Sequence, residues 1–331
     1  MLAIENYLVI FEYLNVYLRS CQRCAKIKKD FFRGYKKMTD KLPKLPRMAA
    51  IHDLSGLGKC SLTVALPIVS VTGVECCCIP TALLSTHTGG FTGWTFTDLS
   101  GDIVPIAEHW KELNAGFDAI YSGYLASEAQ GELLERAIEL LSGDDTLVIV
   151  DPAMADNGKY YANLDGRMAA CFRKLIKKAD IITPNVTEAC FLTDTEYRAG
   201  PHSIDFITEL IDKLSALGPK FVAVTGVSLE PGKIGIVARD NESGKVSTVM
   251  NKALDGTFHG SGDVFASAFA ALLTRGAELE DALSTAEDFV TAAIERTARR
   301  GTPRHYGLDF EGVLPAYVRK IEELFVENAE S

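Results

Sequence analysis

From position 48 onward the chain alternates short apolar runs with longer stretches in which apolar residues recur every three or four positions. The first pattern suits strands buried on both faces, the second amphipathic helices. Strands are predicted at Ala49–His52, Glu75–Pro80, Ala119–Ser122, Leu147–Val150, Ile181–Thr183 and Phe221–Thr225. A helix is predicted over Glu128–Leu141, where Leu133, Leu134, Ala137, Ile138 and Leu141 share one face. Ile234–Arg239 and Val246–Met250, separated by Asn241-Glu242-Ser243-Gly244, read as a hairpin. Strands alternating with helices predict an α/β fold with a central, mostly parallel sheet and helices on both faces.

In such sheets ligands bind beyond the carboxyl ends of the strands, and there the polar residues collect. Asp53 follows the first predicted strand, Thr81 and Ser85-Thr86-His87-Thr88 the second, and Gly123-Tyr124 the third. Asp151-Pro152 follows the fourth, Pro184-Asn185-Val186-Thr187-Glu188 the fifth, and Thr225-Gly226 the sixth. Each alone serves equally well as a cap or turn. Six on one rim predict a site.

The sharpest chemistry lies in Thr257-Phe258-His259-Gly260-Ser261-Gly262-Asp263, which runs into Val264–Leu273, apolar on nearly every side. The continuation predicts a buried helix, whose first turn carries unpaired N–H groups and the positive end of the helix dipole. Gly260 and Gly262 let a phosphate approach the backbone closely, so the segment is a candidate anion hole with Ser261 as a loop residue. Asp263 falls in the first turn, where its carboxylate is expected to stay ionised. It either caps the helix or accepts a hydroxyl proton as a bond to phosphorus forms. Two other glycine motifs fail on spacing. Gly56-Leu57-Gly58-Lys59-Cys60-Ser61 lacks the first glycine of a P-loop, whose place Asp53 takes, and Cys60 follows the lysine. A nucleophile elbow around Ser261 would need glycine at His259 and Asp263.

Charge and composition narrow the partners. The 331 residues are 47% hydrophobic and carry a net charge of −10, which attracts neither nucleic acid nor anionic lipid, so any phosphate must be held locally. The charge is uneven: residues 1–47 hold 11 Lys and Arg against 4 Asp and Glu, a net of +7, which leaves −17 from Met48 on. Residues 1–47 are read as a basic extension, disordered or a misassigned start, outside a domain spanning 48–331. A membrane-surface helix is the second reading of that stretch, which is too polar for a span. Of the eight cysteines, Cys76, Cys77 and Cys78 are consecutive, a poor disulfide framework that suits buried thiols in a reducing cytoplasm. Cys21 and Cys24 have no second pair at zinc spacing. The histidines show no metal spacing, and packing is the first reading even for His87 and His259 beside the candidate site.

Gly260-Ser261-Gly262-Asp263 resembles the G-x-G-D signature of ribokinase-like kinases, and Asn185-Val186-Thr187-Glu188 resembles their N-x-x-E motif. Ser85-Thr86-His87-Thr88, Ser122-Gly123-Tyr124-Leu125, Asp151-Pro152-Ala153-Met154 and Ile182-Thr183-Pro184-Asn185 are similar to segments of the pyridoxal kinase branch. The resemblance covers Met48 to the C-terminus. It implies a ribokinase-like three-layer sandwich that uses ATP and Mg²⁺ to phosphorylate the 5'-hydroxymethyl group of pyridoxal, pyridoxine or pyridoxamine. It implies Asp263 as base and Gly260, Ser261 and Gly262 as the anion hole, with Asp151 and Glu188 near Mg²⁺ and the phosphates and Asn185 supporting them. Thr225 and Gly226 would line the nucleotide side, and Asp53, Ser55, Thr88 and Tyr124 the ring side. A cytoplasmic homodimer without nucleic-acid or membrane partners is implied as well. Ile51-His52-Asp53-Leu54-Ser55-Gly56 resembles instead the loop of hydroxymethylpyrimidine kinases, the alternative within enzymes. Outside enzymes, the alternatives are a silent ligand-binding regulator and a purely structural α/β protein.

Overall fold

Side chains alternate across a strand, and that alternation builds two cores. In β4 (Ala119–Ser122) Ile120 joins one apolar cluster, while Ala119 and Tyr121 join another. In β5 (Leu147–Val150) Val148 and Val150 fall with Ile120, and Ile149 with Tyr121. The computed structural model describes residues 45–254 and 256–330. All but the last three residues of the predicted 1–47 extension, and with them Cys21 and Cys24, lie outside the described residues.

The two cores sandwich a nine-stranded sheet of order β11-β10-β9-β8-β5-β4-β1-β2-β3. β1 (Arg47–Leu57), β2 (Glu75–Thr86), β4, β5, β8 (Ile181–Ile182) and β9 (Phe221–Val227) are parallel. β10 (Lys233–Asp240) and β11 (Val246–Lys252) form the expected antiparallel hairpin, and β3 (Phe96–Asp98) closes the opposite edge. β6 (Ala155–Asp156) and β7 (Lys159–Tyr160) make a separate two-stranded ribbon.

One cluster packs the sheet against α2 (Ser100–Glu112), α3 (Glu128–Leu141), α4 (Gly166–Ile176), α5 (Val186–Leu192) and α6 (Ile204–Ser215). The other packs it against α1 (Leu62–Val71), α7 (Ser261–Thr274), α8 (Leu279–Arg300) and α9 (Leu314–Glu330). As its all-round apolarity predicts, α7 is buried from Val264 to Leu272. Phe265 and Phe269 stack at 5.4 Å within it; each buried ring contributes about 1.5–3 kcal/mol. That packing fixes where the first turn of α7 opens.

β4, β5 and α3 have the predicted bounds, whereas β1 and β2 run further than expected. Their carboxyl ends pair with each other, Leu54 with Leu83, Ser55 with Leu84 and Leu57 with Thr86. Asp53 and Ser55 therefore sit within β1 rather than in a loop after it.

Candidate active site

The ladder between β1 and β2 slips beyond His52, which pairs with Pro80 while Leu54 pairs with Leu83. Asp53 thus stands opposite both Thr81 and Ala82, a bulge of the kind that re-aims a side chain. Its carboxylate is buried and accepts hydrogen bonds from Ser55 Oγ at 2.9 Å and Ser61 Oγ at 2.5 Å. Burial pushes its pKa up and the two hydroxyls draw it back.

Facing it is the start of α7. Gly260 is the N-cap, with φ 78°. A Cβ there would lie 2.2 Å from the Lys59 carbonyl oxygen, so only glycine fits the turn. Asp263 does not cap the helix, since no side chain does so. Its pKa is pushed up to about 7, first by burial and then by the charge of Asp53, while the Ser61 N–H and the Cys60 thiol draw it down. This corrects the expectation of a fully ionised carboxylate: the low-dielectric site places Asp263 at the neutral point, where it gains and loses a proton readily.

Asn185 and Glu188 form a reciprocal capping box at α5. Asn185 Oδ1 accepts the Glu188 N–H at 2.9 Å, and Glu188 Oε2 accepts the Asn185 N–H at 2.9 Å. Glu188 Oε1 also accepts the N–H groups of Met154 at 3.0 Å and Ala155 at 3.3 Å, and Asn185 Nδ2 donates to the Ala155 carbonyl at 2.8 Å. The N-x-x-E motif thereby ties α5 to the segment after β5. Burial pushes the carboxyls of Asp151 and Glu188 up, and like charge adds to it, that of Asp263 at Asp151 and that of Asp151 at Glu188. Two oxygen donors that resist sharing negative charge fit a hard divalent cation. Among the described residues no three His, Cys, Asp or Glu converge on a metal position.

All thirteen residues that the resemblance assigns to the site line one cleft of about 650 Å³. Asp53, Ser55, Thr88 and Tyr124 lie toward β1 and β4, Gly260 to Asp263 with Asp151 and Glu188 form the middle, and Asn185, Thr225 and Gly226 follow toward β9. Asn185 bridges to Thr225, whose N–H donates to the Pro184 carbonyl at 2.9 Å. Burial, then Asp53, pushes the Tyr124 phenol up to about 12.

The rim is not uniform. Thr81 is buried in β2, and Ser85 Oγ accepts the Thr95 N–H at 2.8 Å outside the cleft. His87 lines the cleft with both ring nitrogens engaged. Its Nδ1 accepts the Gly89 N–H at 3.0 Å, which leaves Nε2–H to donate to the His305 carbonyl at 2.7 Å. Lys59, the P-loop look-alike, reaches away to Glu311 at 2.7 Å. Sequence reading missed Cys60 and Ser61 beside the two aspartates, and a stripe of α8 at the far end of the cleft. The only signal for that stripe is helical spacing, which an ordinary core face shares.

A bound hydroxyl between Asp53 and Asp263, with the α7 amides beside it, is in position to lose its proton while a phosphoryl group is held. Known proteins with this architecture are similar in sequence too. A pyridoxal kinase of Rubrobacter xylanophilus is 29% identical over 238 residues, 69% of this chain and 80% of that protein. A Bacteroides thetaiotaomicron structure described as a phosphomethylpyrimidine kinase, crystallised with pyridoxal, is 37% identical with a TM-score of 0.78, over 83% of this chain and 96% of that one. Pyridoxal kinase from Lactobacillus plantarum is 31% identical with a TM-score of 0.77, over 85% and 99%. The family model described as phosphomethylpyrimidine kinase matches residues 66–307, and the chain belongs to that family.

Proposed function

We propose that this protein is an ATP-dependent kinase of the 5'-hydroxymethyl group of a B6 vitamer, pyridoxal, pyridoxine or pyridoxamine. The observation that carries this reading is the pairing of Asp263, poised at about 7 in the first turn of buried α7, with Asp53 across the same cleft. A planar ring would occupy the Asp53, Ser55, Thr88 and Tyr124 end, with its hydroxymethyl group toward Asp263. Asp263 takes the hydroxyl proton, the oxygen bonds to the γ-phosphorus of ATP, the bond to the β-phosphate oxygen breaks, and ADP leaves. The amides of Gly260, Ser261 and Gly262 stabilise the charge on the transferring group.

Asp151 and Glu188 would hold Mg²⁺, whose role when bound is to neutralise phosphate charge. Glu188, anchored by three backbone N–H groups, positions the local backbone, while Asp151 is the freer carboxylate. Thr225 and Gly226 border the nucleotide. The six described cysteines are free thiols, which suits the cytoplasm. Among the described residues no helix is long and apolar enough to cross a membrane. Leu83 and Phe96, both exposed beside the open edge strand β3, support a homodimer.

A second reading, a hydroxymethylpyrimidine kinase, draws on the family model's description and on Asp53, whose carboxylate suits an amino substituent as well as a ring nitrogen. Turnover of ATP with pyridoxal, pyridoxamine, pyridoxine and hydroxymethylpyrimidine decides between them. Phosphorylation of a B6 vitamer is expected, and turnover of the pyrimidine alone would reverse the order.

A further inference from the structure

His87 is buried at the wall of the cleft, one residue before Thr88, and the chemistry above gives it no role. Its two ring nitrogens do different work. Nδ1 accepts the Gly89 N–H and so shapes only its own turn. Nε2–H donates at 2.7 Å to the carbonyl of His305, 218 positions away in sequence. That carbonyl belongs to the short 3-10 helix Arg304–Tyr306 that follows α8. The ring is held on this partner from two sides. Phe91 meets it edge-on at 5.0 Å and meets the His305 ring at 4.9 Å, and a Cβ on Gly58 would come within 2.3 Å of it. The 3-10 helix is joined in turn to the backing of the anion hole. The Lys59 N–H donates to the Tyr306 carbonyl at 3.2 Å, and a Cβ on Gly307 would stand 2.9 Å from the Lys59 backbone N and O. The Lys59 carbonyl oxygen is the atom against which Gly260 packs. A line of direct contacts thus runs from Thr88 through His87, the 304–306 helix and Lys59 to Gly260.

We infer that His87 is a positioning residue: through Nε2 it ties the loop that carries Thr88 to the 304–306 helix, and so sets the acceptor ring at the right distance from the anion hole. The inference rests on the reading of the chain as a kinase whose acceptor ring lies at Thr88. Two glycines follow Thr88, so the loop has little stiffness of its own and depends on an outside tie. Transfer of a phosphoryl group needs the hydroxyl oxygen in line with phosphorus, and a misplacement of about 1 Å costs about 10²-fold in rate. His87 acts on that geometry through Thr88 and not through the proton or the phosphate. The Nδ1 bond, made within the loop, cannot set the loop against the rest of the site. The Nε2 bond can.

The two bonds can be removed separately. His87→Asn keeps an acceptor where Nδ1 stands and cannot reach His305, whereas His87→Gln keeps a donor where Nε2 stands and gives up the Nδ1 acceptor. The full chain and its His87→Ala, His87→Asn and His87→Gln variants are compared by steady-state kinetics on whichever B6 vitamer or hydroxymethylpyrimidine the wild type turns over best. Calorimetric ADP binding counts the competent sites in each preparation. Per ADP-binding site, kcat/KM for the acceptor should fall by about 10–100-fold in His87→Ala and His87→Asn, and His87→Gln should recover to within about threefold of the wild type. The affinity for ADP should be the same throughout. A role confined to folding would lower the number of ADP-binding sites and leave kcat/KM per site alone, which overturns the inference. Recovery by His87→Asn and not by His87→Gln overturns it too, since the turn alone would then matter. If His87→Ala does not fold, the contrast between Asn and Gln decides. A wild type that phosphorylates none of these alcohols removes the kinase reading, and this inference with it.

Discussion

Asp53 raises the proton affinity of Asp263: after burial, its like charge is the next cause that brings the Asp263 carboxyl to about 7. A base works only when deprotonated, so kcat/KM should fall as pH drops through about 7. Asp53→Asn removes the repelling charge while keeping the side chain's shape and its two hydroxyl partners, Ser55 and Ser61. The acid limb of the pH–rate profile should therefore move to lower pH. An unmoved limb would separate Asp53 from the protonation of the base, whatever the substitution does to KM.

Removing the base itself should act on turnover and leave binding. Asp263→Asn keeps the size of the group, and because Gly260 holds the N-cap position, no cap is lost. We expect kcat to fall by about 10²–10⁴, with the affinities for nucleotide and vitamer changed only a few-fold. Turnover and calorimetric binding on the same preparation check this, and near-normal turnover would remove Asp263 from the reaction.

The strands β4 and β5 and the helix α3 were legible to the residue because their hydrophobic patterns end where the core ends. β1 was read short because Asp53, Ser55 and Gly56 break the apolar run, and β2 because Pro80 and Thr81 interrupt it, yet the two strands go on pairing with each other to Leu57 and Thr86. β3, three exposed residues at the sheet edge, and the two-residue strands β6 and β7 carry no periodicity to read. The thirteen candidate residues were named through motifs of the resembling family, and they share one rim because they sit near the carboxyl ends of strands, as Asp53, Asp151 and Thr225 do, or in the first turns of α5 and α7. Ser61 and Cys60 were not legible, since nothing local marks a residue that gains its role from Asp53 and Asp263, brought alongside only by the fold.

Asp151 and Glu188 set a pH dependence of stability. Their pKa values in the folded protein lie above the ordinary carboxylate range, chiefly through burial. The folded state thus holds protons that the unfolded chain releases from about pH 4, so stability contributed by these groups is lost as pH rises from there through their folded values. Asp151→Asn removes one member of the pair and should raise stability at alkaline pH without Mg²⁺ by about 1–2 kcal/mol. It should also diminish the stabilisation that added Mg²⁺ gives the wild type. Thermal unfolding with and without Mg²⁺ measures both, and equal Mg²⁺ stabilisation of the two proteins would take Asp151 out of the metal site.

The two glycines before Asp263 should fail differently when replaced. Gly260 has φ 78°, and its missing Cβ would meet the Lys59 carbonyl oxygen at 2.2 Å. Gly260→Ala therefore forces either a strained left-handed residue or a displaced loop, at a cost of about 2–4 kcal/mol, and activity should fall with it. Gly262 lies within α7, and apart from its own helix backbone nothing comes within 4 Å of where its Cβ would stand. Gly262→Ala should leave stability unchanged or raise it by about 0.5–1 kcal/mol, as alanine does in a helix. The open space before Gly262 is where a phosphoryl group would approach the backbone, so this variant should lose turnover and nucleotide affinity while melting no lower than the wild type. Chemical denaturation and steady-state kinetics on the two variants separate these outcomes. Full activity in Gly262→Ala would mean that the phosphate is held elsewhere along the loop.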